Sequence, residues 1–406
     1  VKPQIVVDQH IPFATELFSE IGEVHSVPGH KIDNSAVKNA NAIIVRSITS
    51  VGEQLLRGSK VRFVGTATAG TDHLDTDFLS AADISWASAP GANARSVVEY
   101  VMAAISVIAI KRSTTWRDRT LGIVGCGHVG ESLAQAAERL GMTVLRNDPP
   151  RAGQGGETEF VSLEFLMSHS DIVSVHVPLI RNGAHPTYHL IAEKELSFLK
   201  HGSWLIQSSR GSTCDESALI RARRAGVLQA LVLDVFENEP LPFQESIVVA
   251  DIATGHIAGY SVDAKRQGVE MVRTSLCSAL GIDVKDSTSS QHPHPRESQG
   301  MESHLIAEPQ NLQGQSTGPS DLAWLDKVVR QMIDIRQDDE RFREVMGCNR
   351  SREEASLFDT ERKAAFHAYR ASYPPRRAFS NYGFPSDSPN QDMFRALGLQ
   401  PADYWV

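Results

Sequence analysis

Three polar residues stand at the ends of separate apolar runs: Arg210 in SSRGS, Glu239 in DVFENEP and His256 in TGHIAG. Together they suit hydride transfer from a 2-hydroxy acid. A histidine titrates near neutral pH and takes the hydroxyl proton as hydride leaves the adjacent carbon. A carboxylate partner orients the imidazole and favours its protonated form. A guanidinium grips a substrate carboxylate in a fork and polarises the nascent carbonyl. Each residue also has an ordinary reading. With 15 histidines in the chain, one at a strand end is most often structural, and a lone arginine most often pairs at the surface. Glu237 shares the DVFENEP segment and competes with Glu239 for the carboxylate role.

The other reactant is announced by TLGIVGCGHVGESLAQAAERLGMTVLRND, from Thr120 to Asp148. It reads as strand, glycine turn, helix, strand and terminal acid. Gly125 permits a tight turn, Gly127 admits a pyrophosphate close to the backbone, and Gly130 lets the helix pack on the strand. The helix start, through His128 and Val129, aims free N–H groups and a positive dipole end at phosphates. Asp148 lies about 20 residues beyond the turn, where an acid bonds a ribose 2′-hydroxyl. That placement repels a 2′-phosphate, so NAD is the expected cofactor; Arg146 and Arg151 nearby leave NADP open. The bland reading of Asp148 is a turn residue ahead of Pro149 and Pro150. Cys126 inside the turn has no base beside it and reads as packing.

These groups need a frame that gathers strand ends. From Pro3 to about Asn93, short apolar runs (Ile5–Val7, Ala42–Val45, Val61–Val64, Ile84–Ala87) alternate with helical segments, which predicts a parallel sheet. A long apolar helix follows from Ala94 to about Ile110. Further strands are expected at Ile172–Val177, Trp204–Gln207 and Ala230–Leu233, with Ile252 and Ala253 leading into the histidine turn. In open α/β sheets, ligands collect beyond the carboxyl ends of the strands. Ser261 to about Leu280 reads as a helix packing back on the first unit. Residues 286–320, rich in Ser, Gln, Pro and Gly, read as a linker. Beyond it, apolar spacing predicts one helix over 321–344 and another from Thr360 to about Ala371. Trp324 and the stripe from Leu322 to Ile333 read as core or interface. The pair Arg376–Arg377 reads as a solvated patch, or as a reach into a neighbouring subunit.

At 406 residues the chain is long enough for two or three domains, and its net charge of −9 argues against nucleic-acid or anionic-membrane partners. Four scattered cysteines without a C-x-x-C pair read as reduced thiols, with no metal-ligand spacing. VKPQIVVD reads as a strand rather than a leader, and the longest apolar helix is too short to span a bilayer. A cytoplasmic location is the expectation.

GIVGCGHVG, HVPL, SSRG, LDVFENEP and GHIAGY together resemble the D-isomer-specific 2-hydroxyacid dehydrogenases. A second set, IVVDQHIPF, VRSIT, FVGTATAGTDHLD, NDPPRAG and YRASYPPRRAF, resembles a branch of that family acting on a phosphorylated four-carbon acid in vitamin B6 synthesis. The resemblance implies an α/β fold with two Rossmann-like or flavodoxin-like doubly wound parallel-sheet domains and a small α+β C-terminal dimerisation domain. It implies a discontinuous substrate domain (1–93 and 260–286), an NAD domain (94–259), and a linker plus C-terminal domain (287–406) that makes a homodimer. It further implies Arg210, Glu239 and His256 as catalytic residues, Glu239 being preferred to Glu237 because it directly precedes the proline. Ser47, Thr68 and Tyr260 would contact a phosphorylated 2-hydroxy acid. Asp148, Asp234, Gly259 and the peptide Ser208–Ser209–Arg210 would contact NAD. Val177 stands where the family often has threonine, leaving only its backbone for the cofactor. Rival readings are the same chemistry on 3-phosphoglycerate or an unphosphorylated acid, and an NAD-sensing protein that has kept the fold.

Overall fold

The computed structural model describes residues 2–116, 118–155, 158–282, 304–305, 326–348, 359–388 and 391–401. They fall into two compact units.

The first unit holds five parallel strands, β1 (Gln4–Asp8), β2 (Glu23–Val27), β3 (Ala42–Val45), β4 (Phe63–Thr66) and β5 (Ser85–Ala87), in the order β2-β1-β3-β4-β5. This is the flavodoxin-like winding, in which the chain reverses direction across the sheet after β2. β3 and β4 are buried on both faces, as their unbroken apolar runs require. β2 has no apolar alternation and lies largely exposed at the sheet edge, which is why periodicity does not reveal it. The helix Val262–Leu280 returns to this unit and packs Val269, Val272 and Leu276 into its core. Gly65 admits it closely, because a Cβ there would overlap Val272. Arg273 secures it by donating to the Leu17 carbonyl at 3.1 Å.

The second unit carries six parallel strands: β6 (Thr120–Val124), β7 (Thr143–Asn147), β8 (Ile172–Val175), β9 (Ser203–Gln207), β10 (Leu228–Leu233) and β11 (Ile252–Ala253). Their order is β11-β10-β9-β8-β6-β7. The winding reverses between β6 and β8, so a crevice opens beyond their carboxyl ends, where the glycine turn sits. The helix Ala94–Lys111 is buried over nearly its whole length, which explains its lack of a polar face.

The described C-terminal residues share this second core rather than forming one of their own: Val328, Phe342, Phe366, Tyr369, Phe379 and Phe394 join the cluster around β6–β11. The helix expected over 321–344 is interrupted. Gln331–Asp334 is non-helical, and a fresh helix, Ile335–Val345, starts where the Asp334 side chain accepts from Gln337 N. Apolar spacing alone does not register such a cap. Leu322, Trp324 and Leu325 lie outside the described residues, as does most of the expected linker. His304–Leu305 (β12), however, pairs in a small parallel sheet with Tyr382–Phe384 (β13) and Gln400–Pro401 (β14). No helix among the described residues is long and apolar enough to cross a membrane.

Candidate active site

The glycine turn follows β6 as its spacing predicts. Gly125 has φ +89°, and a Cβ there would sit 2.7 Å from Val177 Cγ1 and 2.8 Å from the His176 carbonyl oxygen. A Cβ at Gly130 would overlap the Gly125 carbonyl, so the helix His128–Arg139 can approach only with glycine there. Gly127 faces open space and caps that helix without a side-chain hydrogen bond. An anion cradle needs this combination: a tight turn, a close helix, and backbone N–H groups left for a ligand.

Asp148 directly follows β7. One carboxylate oxygen accepts from Cys126 N at 2.9 Å, joining β7 to the glycine turn, and the other caps the short helix Pro149–Ala152 through Arg151 N at 3.1 Å. Arg151 also donates to the Cys126 carbonyl and lies 3.6 Å from Glu131, while Arg146 pairs with Glu138 at 2.8 Å. Both arginines near Asp148 are therefore held by carboxylates. Cys126 is fully buried, and burial, reinforced by Asp148 and Glu131, pushes its thiol up to about 12. That makes it a packing residue.

Past β9, Gln207 arranges the SSRG peptide. Its side-chain oxygen accepts from Ser209 N at 3.1 Å and Ser209 Oγ at 2.8 Å, and its amide nitrogen donates to the Arg210 carbonyl at 3.0 Å. Ser208 Oγ is buried with no hydrogen-bond partner among the described residues, an orphan of the kind a bound group satisfies. Gly211 lies so close to Phe236 that a Cβ would overlap the Phe236 carbonyl. The Arg210 segment is thereby set beside the segment that carries Glu239.

Glu239 and His256 form a dyad. His256 Nδ1 lies 2.7 Å from Glu239 Oε2, and Glu239 Oε1 accepts from Phe236 N at 2.9 Å. A carboxylate only accepts, so Nδ1 carries the proton and Nε2 is left as the basic ring nitrogen. Burial would raise the Glu239 carboxyl, but the His256 charge and hydrogen bond, the Phe236 N–H and the Arg370 charge outweigh it, holding the group below the usual carboxylate range. His256 itself has φ +59°, a left-handed conformation uncommon outside glycine.

Asp234 enforces that conformation. Fully buried, it accepts from Thr254 Oγ1 at 2.7 Å, Ile257 N at 2.8 Å and Ala258 N at 2.9 Å, and its own carbonyl accepts from His256 N at 2.6 Å. The geometry thus gives this expected cofactor contact a bracing role around the histidine turn. Glu237 is drawn elsewhere, its Oε1 lying 2.6 Å from His189 Nε2. Nothing local in the sequence announces that pair, because its members are far apart in the chain.

C-terminal residues enclose the same turn, a contribution that motif reading misses. Asp339 accepts from Ala253 N at 2.7 Å, and Arg376 donates to the Ala258 carbonyl at 2.9 Å and the Ser96 carbonyl at 3.3 Å. Arg376 is only 6% exposed, which corrects its reading as a solvated patch. A Cβ at Gly255 would sit 2.8 Å from both Phe342 and Tyr369. Tyr260 meets Tyr373 edge-on, with centroids 6.0 Å apart, and Gly259 before it is partly exposed.

In the first unit, Ser47 is exposed after β3. Thr68 Oγ1 lies 2.8 Å from Thr66 Oγ1 and donates to the Gly70 carbonyl at 2.9 Å. Arg46 pairs with the buried Asp8 at 2.7 Å, the bland alternative for that residue.

Residues 107–258 match the model of the D-isomer specific 2-hydroxyacid dehydrogenase NAD binding domain, and residues 305–398 match a domain of unknown function. Erythronate-4-phosphate dehydrogenase of Salinibacter ruber is 40% identical over 94% of this chain and 94% of its own. The protein of that name from Pseudomonas aeruginosa is 38% identical over 98% and 99%. Among solved structures, 3-phosphoglycerate dehydrogenase of Entamoeba histolytica with bound NAD matches at TM-score 0.59 and 25% identity, covering 69% of this chain and 96% of its own. D-lactate dehydrogenase of Aquifex aeolicus, complexed with NAD and lactic acid, matches at TM-score 0.55 and 25% identity, covering 69% and 96%. The chain belongs to the erythronate-4-phosphate dehydrogenase family, within the NAD-binding D-isomer specific 2-hydroxyacid dehydrogenases.

Proposed function

We propose that this chain oxidises 4-phospho-D-erythronate at C2 to (R)-3-hydroxy-2-oxo-4-phosphooxybutanoate, a step in pyridoxal 5′-phosphate (vitamin B6) synthesis. The Glu239–His256 dyad, at 2.7 Å, carries the reading, together with near-full-length relatives named for that substrate. His256 Nε2 accepts the C2 hydroxyl proton. Glu239 orients the ring and stabilises the resulting imidazolium. Arg210 grips the substrate carboxylate and polarises the forming carbonyl. Ser47, Thr68 and Tyr260 complete the substrate contacts.

Bound NAD supplies the hydride acceptor. The turn Gly125, Gly127, His128, Val129 and Gly130 would hold its pyrophosphate and Asp148 its ribose. Val177, Ser208, Ser209, Arg210, Asp234 and Gly259 would line the remainder, and the unpartnered Ser208 hydroxyl supports that assignment. We assign the chain to the cytoplasm, a setting its free cysteines suit, and to a homodimer.

NADH formation across 4-phosphoerythronate, 3-phosphoglycerate, erythronate and lactate tests the assignment. Highest kcat/KM for 4-phosphoerythronate is the expected result, and equal or better turnover of 3-phosphoglycerate overturns it. Light scattering giving a mass near the 44.4 kDa of one chain overturns the dimer.

A further inference from the structure

Among the described residues, one C-terminal arginine near the dyad makes no ion pair at salt-bridge distance. Arg370, on the helix Asp359–Ala371, places its guanidinium carbon 5.4 Å from the Tyr260 ring centroid. Tyr260 lies four residues beyond His256, and the Arg370 charge is felt at Glu239. Other C-terminal arginines are tied to protein oxygens: Arg343 to Asp339 and the Ile247 and Ala250 carbonyls, Arg362 through Nη2 to the Pro242 carbonyl, and Arg376 through Nη2 to the Ser96 and Ala258 carbonyls, although Nε of Arg362 and of Arg376 is also buried without a partner among the described residues. Arg370 forms no ion pair with a carboxylate among the described residues, and its Nε is buried without a hydrogen-bond partner. A half-buried cation in that condition is costly unless an anion completes it.

We propose that Arg370 binds the phosphate of the substrate and so determines preference for the phosphorylated acid. The proposal rests on the substrate reading above. That substrate is anionic at both ends, and Arg210 is assigned to its carboxylate, leaving the phosphate to be matched. A guanidinium offers a planar fork of donors to phosphate oxygens, and the Tyr260 face fixes the plane of that fork. Arg370 also lies within 305–398, outside the matched NAD-binding domain. The lactate and 3-phosphoglycerate dehydrogenase structures match 69% of this chain while using 96% of their own. The longer chain here thus has room for a contact the shorter enzymes make differently or not at all.

The test compares wild type, Arg370→Met and Arg370→Lys on 4-phosphoerythronate and on erythronate. NAD binding and circular dichroism serve as controls for folding. In Arg370→Met, the ratio of kcat/KM for the phosphorylated acid to that for erythronate is expected to fall about 10- to 100-fold, mainly through KM. Lysine, which keeps the charge but not the fork, should restore part of it. Competitive inhibition by inorganic phosphate should weaken in parallel. An unchanged ratio with unchanged phosphate inhibition overturns the proposal and assigns Arg370 to supporting the dyad alone. A wild-type enzyme that does not oxidise 4-phosphoerythronate overturns the substrate reading instead, a failure visible before any variant is made.

Discussion

A left-handed backbone costs an ordinary residue roughly 1–2 kcal/mol, and His256 is held in one by the Asp234 carboxylate and carbonyl. The conformation sets the imidazole against Glu239, so the cost is tied to the aim of the ring. Removing the imidazole by His256→Ala should lower kcat about 10²- to 10⁴-fold with NAD affinity nearly intact; fluorescence titration and steady-state rates measure both, and persistent turnover would falsify the assigned base. Glu239→Gln keeps the shape but loses the charge, and its kcat should fall by about 10-fold or more. Because Glu239 is held below the usual carboxylate range, it stays ionised across the neutral region and the dyad persists there. Its contribution to stability is present above the ordinary carboxylate range and is lost as pH falls through the lowered value. At this scale the sequence was generous with Arg210, Glu239 and His256, whose local motifs are distinctive. It was silent on the His189–Glu237 pair and favoured the surface for the buried Arg376, because the partners of both are set only by folding.

Among elements, the glycine turn makes a sharp separation possible. Gly127 faces open space and Gly130 faces the Gly125 carbonyl, although both belong to one motif. Gly127→Ala should leave the denaturant midpoint close to wild type while weakening NAD binding, since its methyl intrudes only on the ligand side. Gly130→Ala should lower stability by about 1–3 kcal/mol, because the helix and turn must part. Equal stability losses in the two variants would contradict this account. Buried strands such as β3, β6 and β9 were readable because each is a continuous apolar run between turn signals. Strand β2 and the short β12, β13 and β14 were not, because exposed or two- to three-residue strands lack a periodic signature. The break at Gln331–Asp334 escaped for a related reason: apolar spacing continues through it while the backbone does not.

At the scale of the molecule, the C-terminal residues and the NAD-binding sheet share one core, so a perturbed group in the former is read out in the unfolding of both. Asp338 is such a group. It is 6% exposed, and burial lifts its carboxyl from 3.8 to about 6 against the opposing pull of the Tyr373 hydrogen bond and the Arg376 and Arg341 charges. A raised acid binds its proton more tightly folded than unfolded. Its favourable contribution is therefore full below pH 3.8 and lost as pH rises towards about 6. Asp338→Asn should flatten that fall, gaining about 2 kcal/mol relative to wild type between pH 4 and pH 6.5, as urea unfolding at each pH would show. A gain of the same size at pH 4 would exclude ionisation as its source. The sheet itself carries a further consequence. β11 is its last strand, and an exposed last strand offers unpaired N–H groups on which another chain can add. Asp339 occupies the Ala253 N–H with a carboxylate that cannot itself donate to an incoming strand. The C-terminal segment thereby also guards the chain against edge-to-edge aggregation, at the strand that leads into its most reactive turn.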